Sequence, residues 1–318
     1  MKHIILATDN NFVQHCAVTM TSILEHNNEI CFYILTEGLS AKNEKVLNDL
    51  VNKYHSKLNI LSIDSSIVEK FPMPQTAGFS HISVATYYRL FIASLLPQDV
   101  NKVLYLDCDI VVRDSLDELF NIDIEGYSLG AVFQDDPLLL QGDEYERLGL
   151  QGETGYFNAG VLLINLKYWR DNDVEKRLLN YISNNTENIR FHDQDTLNAV
   201  LAPSALTLDC KWNTLTIFLT RAIYRFTSPR CINYRNQILS GVGKNPTIVH
   251  FVSRPKPWDW SCSHPFKKDY FTNLDKTVYH GWRPKWKRTF REVVERVKNI
   301  PIIRGLGLFS DLGIFVRF

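Results

Sequence analysis

The chain has 318 residues, 45% of them hydrophobic, with 35 Lys+Arg against 35 Asp+Glu and so no formal net charge. This size and composition describe a globular protein of one large or two smaller domains, and the charge balance argues against a general nucleic-acid binder. The balance is uneven, however, because residues 282–318 hold nine Lys/Arg and three Asp/Glu and the remainder is acidic to match.

The N-terminal MKHIILATDNNF has too few consecutive apolar residues for a signal-peptide core, and no later stretch reaches the ~18 needed to span a bilayer, so residence in the cytoplasm is expected. The strings HIILAT, ICFYILT and LNILSID predict strands. Helical apolar spacing follows Phe12, Ser40 and Ser83. Such alternation implies βαβ units. KVLYLDCDIVV, residues 102–112, is apolar on both faces and predicts a central strand, and SLDE at Ser115–Glu118 predicts a capping box that gives Asp117 and Glu118 a local use. SLGAVF, AGVLLINL and TIVHFV predict further strands, with helices over DVEKRLLNYISNN and DQDTLNAVL. Cys16, Cys31, Cys108, Cys210, Cys231 and Cys262 form no CxxC pair and are expected to be reduced and buried. A catalytic domain is expected over 1–281 and a basic, amphipathic segment over 282–318.

Asp107 and Asp109 raise the first chemical question, since burying one unpaired carboxylate costs several kcal/mol. Ligands of open sheets sit at the carboxyl ends of strands, and two acids two residues apart there converge on one cation if the chain turns between them. Carboxylates suit Mg²⁺ or Mn²⁺, and a nitrogen ligand shifts the preference towards Mn²⁺. His250, inside TIVHFV, offers that nitrogen or is a core histidine; Lys256 beyond it offers a point charge for phosphate or is simply solvated. Asp9 and Asn11, between the first strand and helix, suit a nucleobase or ribose, or a helix cap, and no glycine-rich dinucleotide fingerprint accompanies them. Gly155, Asn158 and Gly160 allow a close backbone approach, while Asp193, Gln194 and Asp195 serve either a helix dipole or catalysis.

In order and spacing, LATDNNF, HISVATYYRL, YLDCDIVVRDSL, GYFNAGVLLINLKYWR, HDQDTLN and VHFVSRPKPW resemble glycosyltransferase family 8, within it the bacterial lipooligosaccharide α-galactosyltransferases, over roughly residues 1–260. The resemblance implies an α/β GT-A fold with a mixed central sheet. It also implies retaining transfer of galactose or glucose from a UDP-sugar to a glycan hydroxyl. Asp107, Asp109 and His250 then hold Mn²⁺, with Mg²⁺ as the alternative. Ala7, Thr8, Asp9, Asn11 and Cys108 map to the nucleotide side, Arg89, Asn158, Ala159 and Asp193 to the donor sugar, and Ser253 and Lys256 to the diphosphate side. Gln194 falls near the β face of the anomeric carbon. Either Gln194 or Asp195 is a nucleophile, or the acceptor attacks on the leaving-group face; the poor nucleophilicity of an amide oxygen favours the last. The chain departs from the pattern at Gln134, next to Asp135, where an Asp is expected, and at Ser253, where a Gly is expected. Both departures bear on which sugar is moved.

Phe290, Val293, Val294 and Val297 share a helical face opposite Arg and Glu, which predicts peripheral attachment to an anionic membrane surface and access to a lipid-linked acceptor; a C-terminal helix docked on the core is the alternative. Three functional rivals remain: transfer from UDP-glucose to another glycan or glycoprotein, a haloacid-dehalogenase-like phosphatase with Asp107 as nucleophile and Asp109 as acid, and a non-catalytic UDP-sugar binder.

Overall fold

The computed structural model describes residues 1–64, 66, 71, 84–135, 144–151 and 154–285. Its centre is a seven-stranded mixed sheet in the order β3-β2-β1-β4-β7-β6-β8, formed by β1 (Lys2–Ala7), β2 (Ile30–Thr36), β3 (Lys57–Ser62), β4 (Lys102–Leu106), β6 (Leu129–Phe133), β7 (Phe157–Asn165) and β8 (Ala205–Thr207). β1, β2, β3 and β4 run parallel, as their βα alternation requires, whereas β7 is antiparallel to both β4 and β6. A second sheet, β5-β10-β9, joins β5 (Ile110–Val112), β10 (Ile248–His250) and β9 (Thr214–Leu215).

The single strand expected over 102–112 is therefore two strands in two sheets. The break falls at Asp107-Cys108-Asp109, so the acidic pair is the crossover between sheets. Helix α1 (Val13–Leu24) is almost wholly buried against it, and its polar residues are what brace the crossover. Thr19 Oγ1 donates to the carbonyls of Cys108 (3.1 Å) and Ile110 (2.9 Å), and Ser22 Oγ accepts from Val112 N (2.9 Å). Buried hydroxyls that find partners in this way avoid the desolvation cost of an unsatisfied group.

The remaining long helices are α2 (Ala41–Lys53), α3 (Val174–Asn184), α4 (His192–Leu201), α5 (Pro229–Gln237) and α6 (Lys267–Leu274), and Val84–Phe91 is a 3-10 turn. The capping box does not form as expected. Ser115 Oγ accepts from Asp117 N (3.0 Å) rather than from Glu118 N, Asp117 pairs with Lys2 (2.5 Å), and Glu118 pairs with Lys211 (2.7 Å). All six cysteines are buried and unpaired. Among the described residues no helix is long and apolar enough to cross a membrane. The amphipathic face at Phe290–Val297 lies outside the described residues.

Candidate active site

Asp107 leaves the end of β4 with its N–H bonded to Gly160 O of β7 (2.9 Å). One carboxylate oxygen, Oδ1, accepts from Arg89 Nη2 (2.8 Å) and Tyr105 OH (2.9 Å), which aims Oδ2 across the crossover. Asp109 is fixed by Phe251 N, which donates to its carbonyl (3.0 Å), and its Oδ2 meets Lys256 Nζ at 2.5 Å. His250 on β10 closes the group, with Nε2 3.2 Å from Asp109 Oδ1 and 3.9 Å from Asp107 Oδ2. One ligand atom from each of the three residues lies within 4.8 Å of the others. Gly160 makes the approach possible, because a Cβ there would lie 2.2 Å from His250 Cε1 and 2.8 Å from Asp107 Oδ2.

The electrostatics match a cation site. Burial alone would raise the pKa of Asp109, but the Lys256 ammonium and the His250 ring hold it well below the usual carboxylate range. Two carboxylate oxygens and one imidazole nitrogen, converging here, are a ligand set that fits a divalent ion.

On the next side of the crossover, Arg89 links the acids to a polar cradle. Its Nη1 donates to Ala159 O (2.6 Å), its Nε donates to Thr86 O (3.0 Å), and the guanidinium lies 4.2 Å from the Tyr105 ring centroid. Burial opposes the Arg89 charge, yet Asp107 and Asp193 outweigh it and hold the guanidinium protonated. Asp193 Oδ2 lies 3.0 Å from Arg89 Nε. Since that N–H points to Thr86, the oxygen gains charge stabilisation but no hydrogen bond among the described residues. Burial, with Asp107 adding to it and Arg89 opposing, pushes the Asp193 carboxyl up to about 6.

Gln194 is half-buried beside Asp193, and its Oε1 accepts from Ala159 N (3.0 Å) and Asn158 Nδ2 (3.3 Å). Asp195 faces elsewhere, as residues two apart on a helix must. It is fully buried, with Tyr156 OH on Oδ1 (2.8 Å) and Arg147 Nη1 (3.0 Å), Arg190 N (2.7 Å) and Phe191 N (2.8 Å) on Oδ2. Gln134 is buried and reaches Asn158 Nδ2 (3.4 Å), whereas the neighbouring Asp135 is occupied by Tyr145, Tyr156 N, Ser228 and Arg230.

Along the β1 edge, Ala7 O accepts from Cys108 Sγ (3.3 Å), and Thr8 is buried with its N–H on Leu35 O (3.0 Å). Asp9 Oδ1 accepts from Asn11 N (2.8 Å) and Phe12 N (3.0 Å), so Asp9 closes the turn into α1 while Asn11 is exposed. Hydrogen bonding to Cys16 and burial push the Cys108 thiol up, which keeps it protonated. Ser253 is exposed at φ +66°, a left-handed backbone that glycine adopts more readily. The segment it opens is pinned to α1 by Trp258, which stacks on His15 at 3.7 Å.

Sequence reasoning missed Asn213, Tyr156 and Arg147. Asn213 Oδ1 is 3.0 Å from His250 Nδ1, and Asn213 Nδ2 donates to Asn158 Oδ1 (3.0 Å). CKWNTLT carries no motif, and only its tertiary neighbours reveal the role.

Comparison with known proteins agrees with this geometry. The sequence profile described as glycosyl transferase family 8 matches residues 3–262. General stress protein A of Bacillus subtilis is 28% identical over 287 residues, 87% of this chain and 94% of that one. The lipopolysaccharide glucosyltransferase WaaO of Escherichia coli is 28% identical over 275 residues, 83% of this chain and 74% of that one. The crystal structure of the galactosyltransferase LgtC with donor and acceptor sugar analogs superposes with a TM-score of 0.76 at 25% identity, over 91% of this chain and 99% of that one. The fold is thus the GT-A type of the sugar transferases.

Proposed function

The chain belongs to glycosyl transferase family 8, and from that premise we propose that it moves galactose or glucose from a UDP-sugar to a sugar hydroxyl with retention at the anomeric carbon. The observation that carries the reading is the convergence of Asp107, Asp109 and His250 beside the Lys256 ammonium. Two carboxylates and an imidazole suit Mn²⁺ better than Mg²⁺. When bound, the ion supplies charge neutralisation for a diphosphate leaving group.

The chain's own residues do the rest. Lys256 is a point charge on a flexible stem, suited to exchange Asp109 for a phosphate oxygen. Arg89 locks Asp107 and the Ala159 carbonyl in place. Asp193, whose Oδ2 has no hydrogen-bond donor among the described residues, accepts from sugar hydroxyls, and Asn158 and Gln134 line the same cradle. Ala7, Thr8, Asp9, Asn11 and Cys108 shape the nucleotide edge, and Ser253 opens the loop that carries Lys256.

Gln194 Oε1 already accepts two hydrogen bonds, and Asp195 has both oxygens occupied. These contacts support attack on the leaving-group face over a covalent intermediate. The acceptor oxygen bonds to C1 as the bond from C1 to the phosphate oxygen breaks, and that phosphate oxygen takes the acceptor proton. Asp195 is then a positioning residue.

Relatives named for lipopolysaccharide glucosyl and galactosyl transfer support a lipooligosaccharide or lipopolysaccharide acceptor, on the cytoplasmic face of the membrane with the basic tail as anchor. UDP release from UDP-galactose and from UDP-glucose with Mn²⁺, with and without a lactose-terminated acceptor, tests the reading. A metal-dependent release with either donor is expected, and release of phosphate from simple phosphomonoesters with no sugar-nucleotide turnover would overturn it in favour of a phosphatase.

A further inference from the structure

A continuous, one-directional chain of hydrogen bonds runs behind the metal-ligand triad. Its polarity is set by two backbone N–H groups, which cannot reverse. Gly160 N donates to one oxygen of Asn158 (3.0 Å), so that oxygen is Oδ1. Ala159 N donates to Gln194 (3.0 Å), so the atom it meets is Oε1. Asn158 Nδ2 must then face Gln194 Oε1 (3.3 Å), and Asn213 must present Nδ2 to Asn158 Oδ1 (3.0 Å). Only Asn213 Oδ1 is left for His250 Nδ1 (3.0 Å), and an acceptor at that place requires the proton on Nδ1.

Beyond Gln194 the order persists. Gln194 Nε2 donates to Tyr156 OH (3.1 Å), and that hydroxyl donates to Asp195 Oδ1 (2.8 Å). His250, Asn213, Asn158, Tyr156 and Asp195 are all buried. Every bond points from the imidazole towards the Asp195 side chain, so the dipoles reinforce one another.

We infer that Asn213 is a positioning residue for the metal: as the link between His250 and this chain, it holds the proton on Nδ1 and fixes the ring so that Nε2 is the nitrogen presented to Asp107 and Asp109. The inference rests on the metal-site reading of the triad. Its logic is that of the carboxylate–histidine–metal arrangement, in which the outer partner fixes the ring's orientation and raises its basicity. Here the carboxylate acts from a distance, through amides and a tyrosine hydroxyl.

The test uses the full chain in two steps. Ring ¹⁵N spectra of histidine-labelled, metal-free protein at alkaline pH, with His250 assigned by loss of its signals in His250→Gln, should show the proton on Nδ1. A proton on Nε2 alone would overturn the inference whatever the variants do. Binding of Mn²⁺ alone, by electron paramagnetic resonance without nucleotide, should weaken 10–100-fold in Asn213→Ala. It should be retained within a few-fold in Asn213→Asp, which keeps an acceptor at Nδ1. Wild-type binding by Asn213→Ala would overturn the role of Asn213 alone. Absence of Mn²⁺ binding in the wild type would overturn the metal-site reading and this inference with it.

Discussion

Replacing Gly160 by alanine is the most selective way to disturb the triad without touching a ligand. The residue lies within β7 and has no left-handed backbone to protect, so alanine adds no conformational strain and the effect is steric. Its Cβ would sit 2.2 Å from His250 Cε1, 2.8 Å from Asp107 Oδ2 and 2.9 Å from His250 Nδ1. Ordinary carbon contacts need at least about 3.5 Å, so the imidazole must retreat by about 1 Å. His250 is 3% exposed and bonded to Asn213, which leaves the ring little room to move. Metal ligands tolerate displacements of about 0.2 Å, and a 1 Å error in a catalytic geometry costs about 100-fold. Gly160→Ala is therefore expected to lose about 100-fold in metal-dependent UDP release, with a stability loss of about 1–3 kcal/mol from overpacking. The assay pairs Mn²⁺ titration of UDP release with thermal melting. A variant that melts a few degrees lower but binds and turns over like the wild type would refute the close packing of the triad.

Lys256→Met is expected to weaken UDP binding at least tenfold, while Mn²⁺ alone binds no less tightly because the ammonium no longer competes at Asp109 Oδ2; calorimetry with each ligand separates the two effects. His15 is buried against Trp258 with Tyr270 OH 2.7 Å from Nδ1, and burial lowers its pKa from 6.5 to about 3. The neutral ring thus contributes stability above pH 6.5 that is lost as pH falls towards 3, worth about 2 kcal/mol near pH 5. Urea denaturation at about pH 7.5 and about pH 5 should show His15→Gln losing less stability than the wild type by that amount, and an equal loss would refute the neutral burial. Truncation after Lys285, which keeps the Arg283–Asp275 pair, should release the protein from anionic vesicles while donor hydrolysis persists; an unchanged vesicle-bound fraction would sink the membrane role of the tail.

Much of the frame was legible because it is written locally. ICFYILT forms β2 over its whole length, and the period-2 and 3.6 patterns located β1, α1, α3 and α4 to within a few residues. The acidic pair stood out because carboxylates in an apolar string demand compensation, whereas the string around His250 left ligand and core histidine open and only the family resemblance joined it to the pair. What stayed hidden depends on contacts between distant segments. VLYLDCDIVV reads as one strand, and nothing local says that its halves enter different sheets. The Ser115 box does not close because the helix begins at Asp117 with Leu116 at its N-cap, one residue later than the box requires, and Glu118 pairs with Lys211 instead. Asp193 and Asp195 are alike in sequence. Yet the helix turns one towards Arg89 and the other towards Tyr156 and Arg147, and only their partners tell a site-facing acid from a scaffolding one.

The central claim is that Asp109, with Asp107 and His250, holds the cation on which transfer depends. Asp109→Asn keeps the side chain's shape and an oxygen for Lys256 but removes the charge, so Mn²⁺-dependent UDP release from the preferred sugar nucleotide is the direct measurement. The account predicts a loss of at least 100-fold with the fold retained by circular dichroism. Turnover by Asp109→Asn at the wild-type rate and the wild-type Mn²⁺ concentration would contradict it.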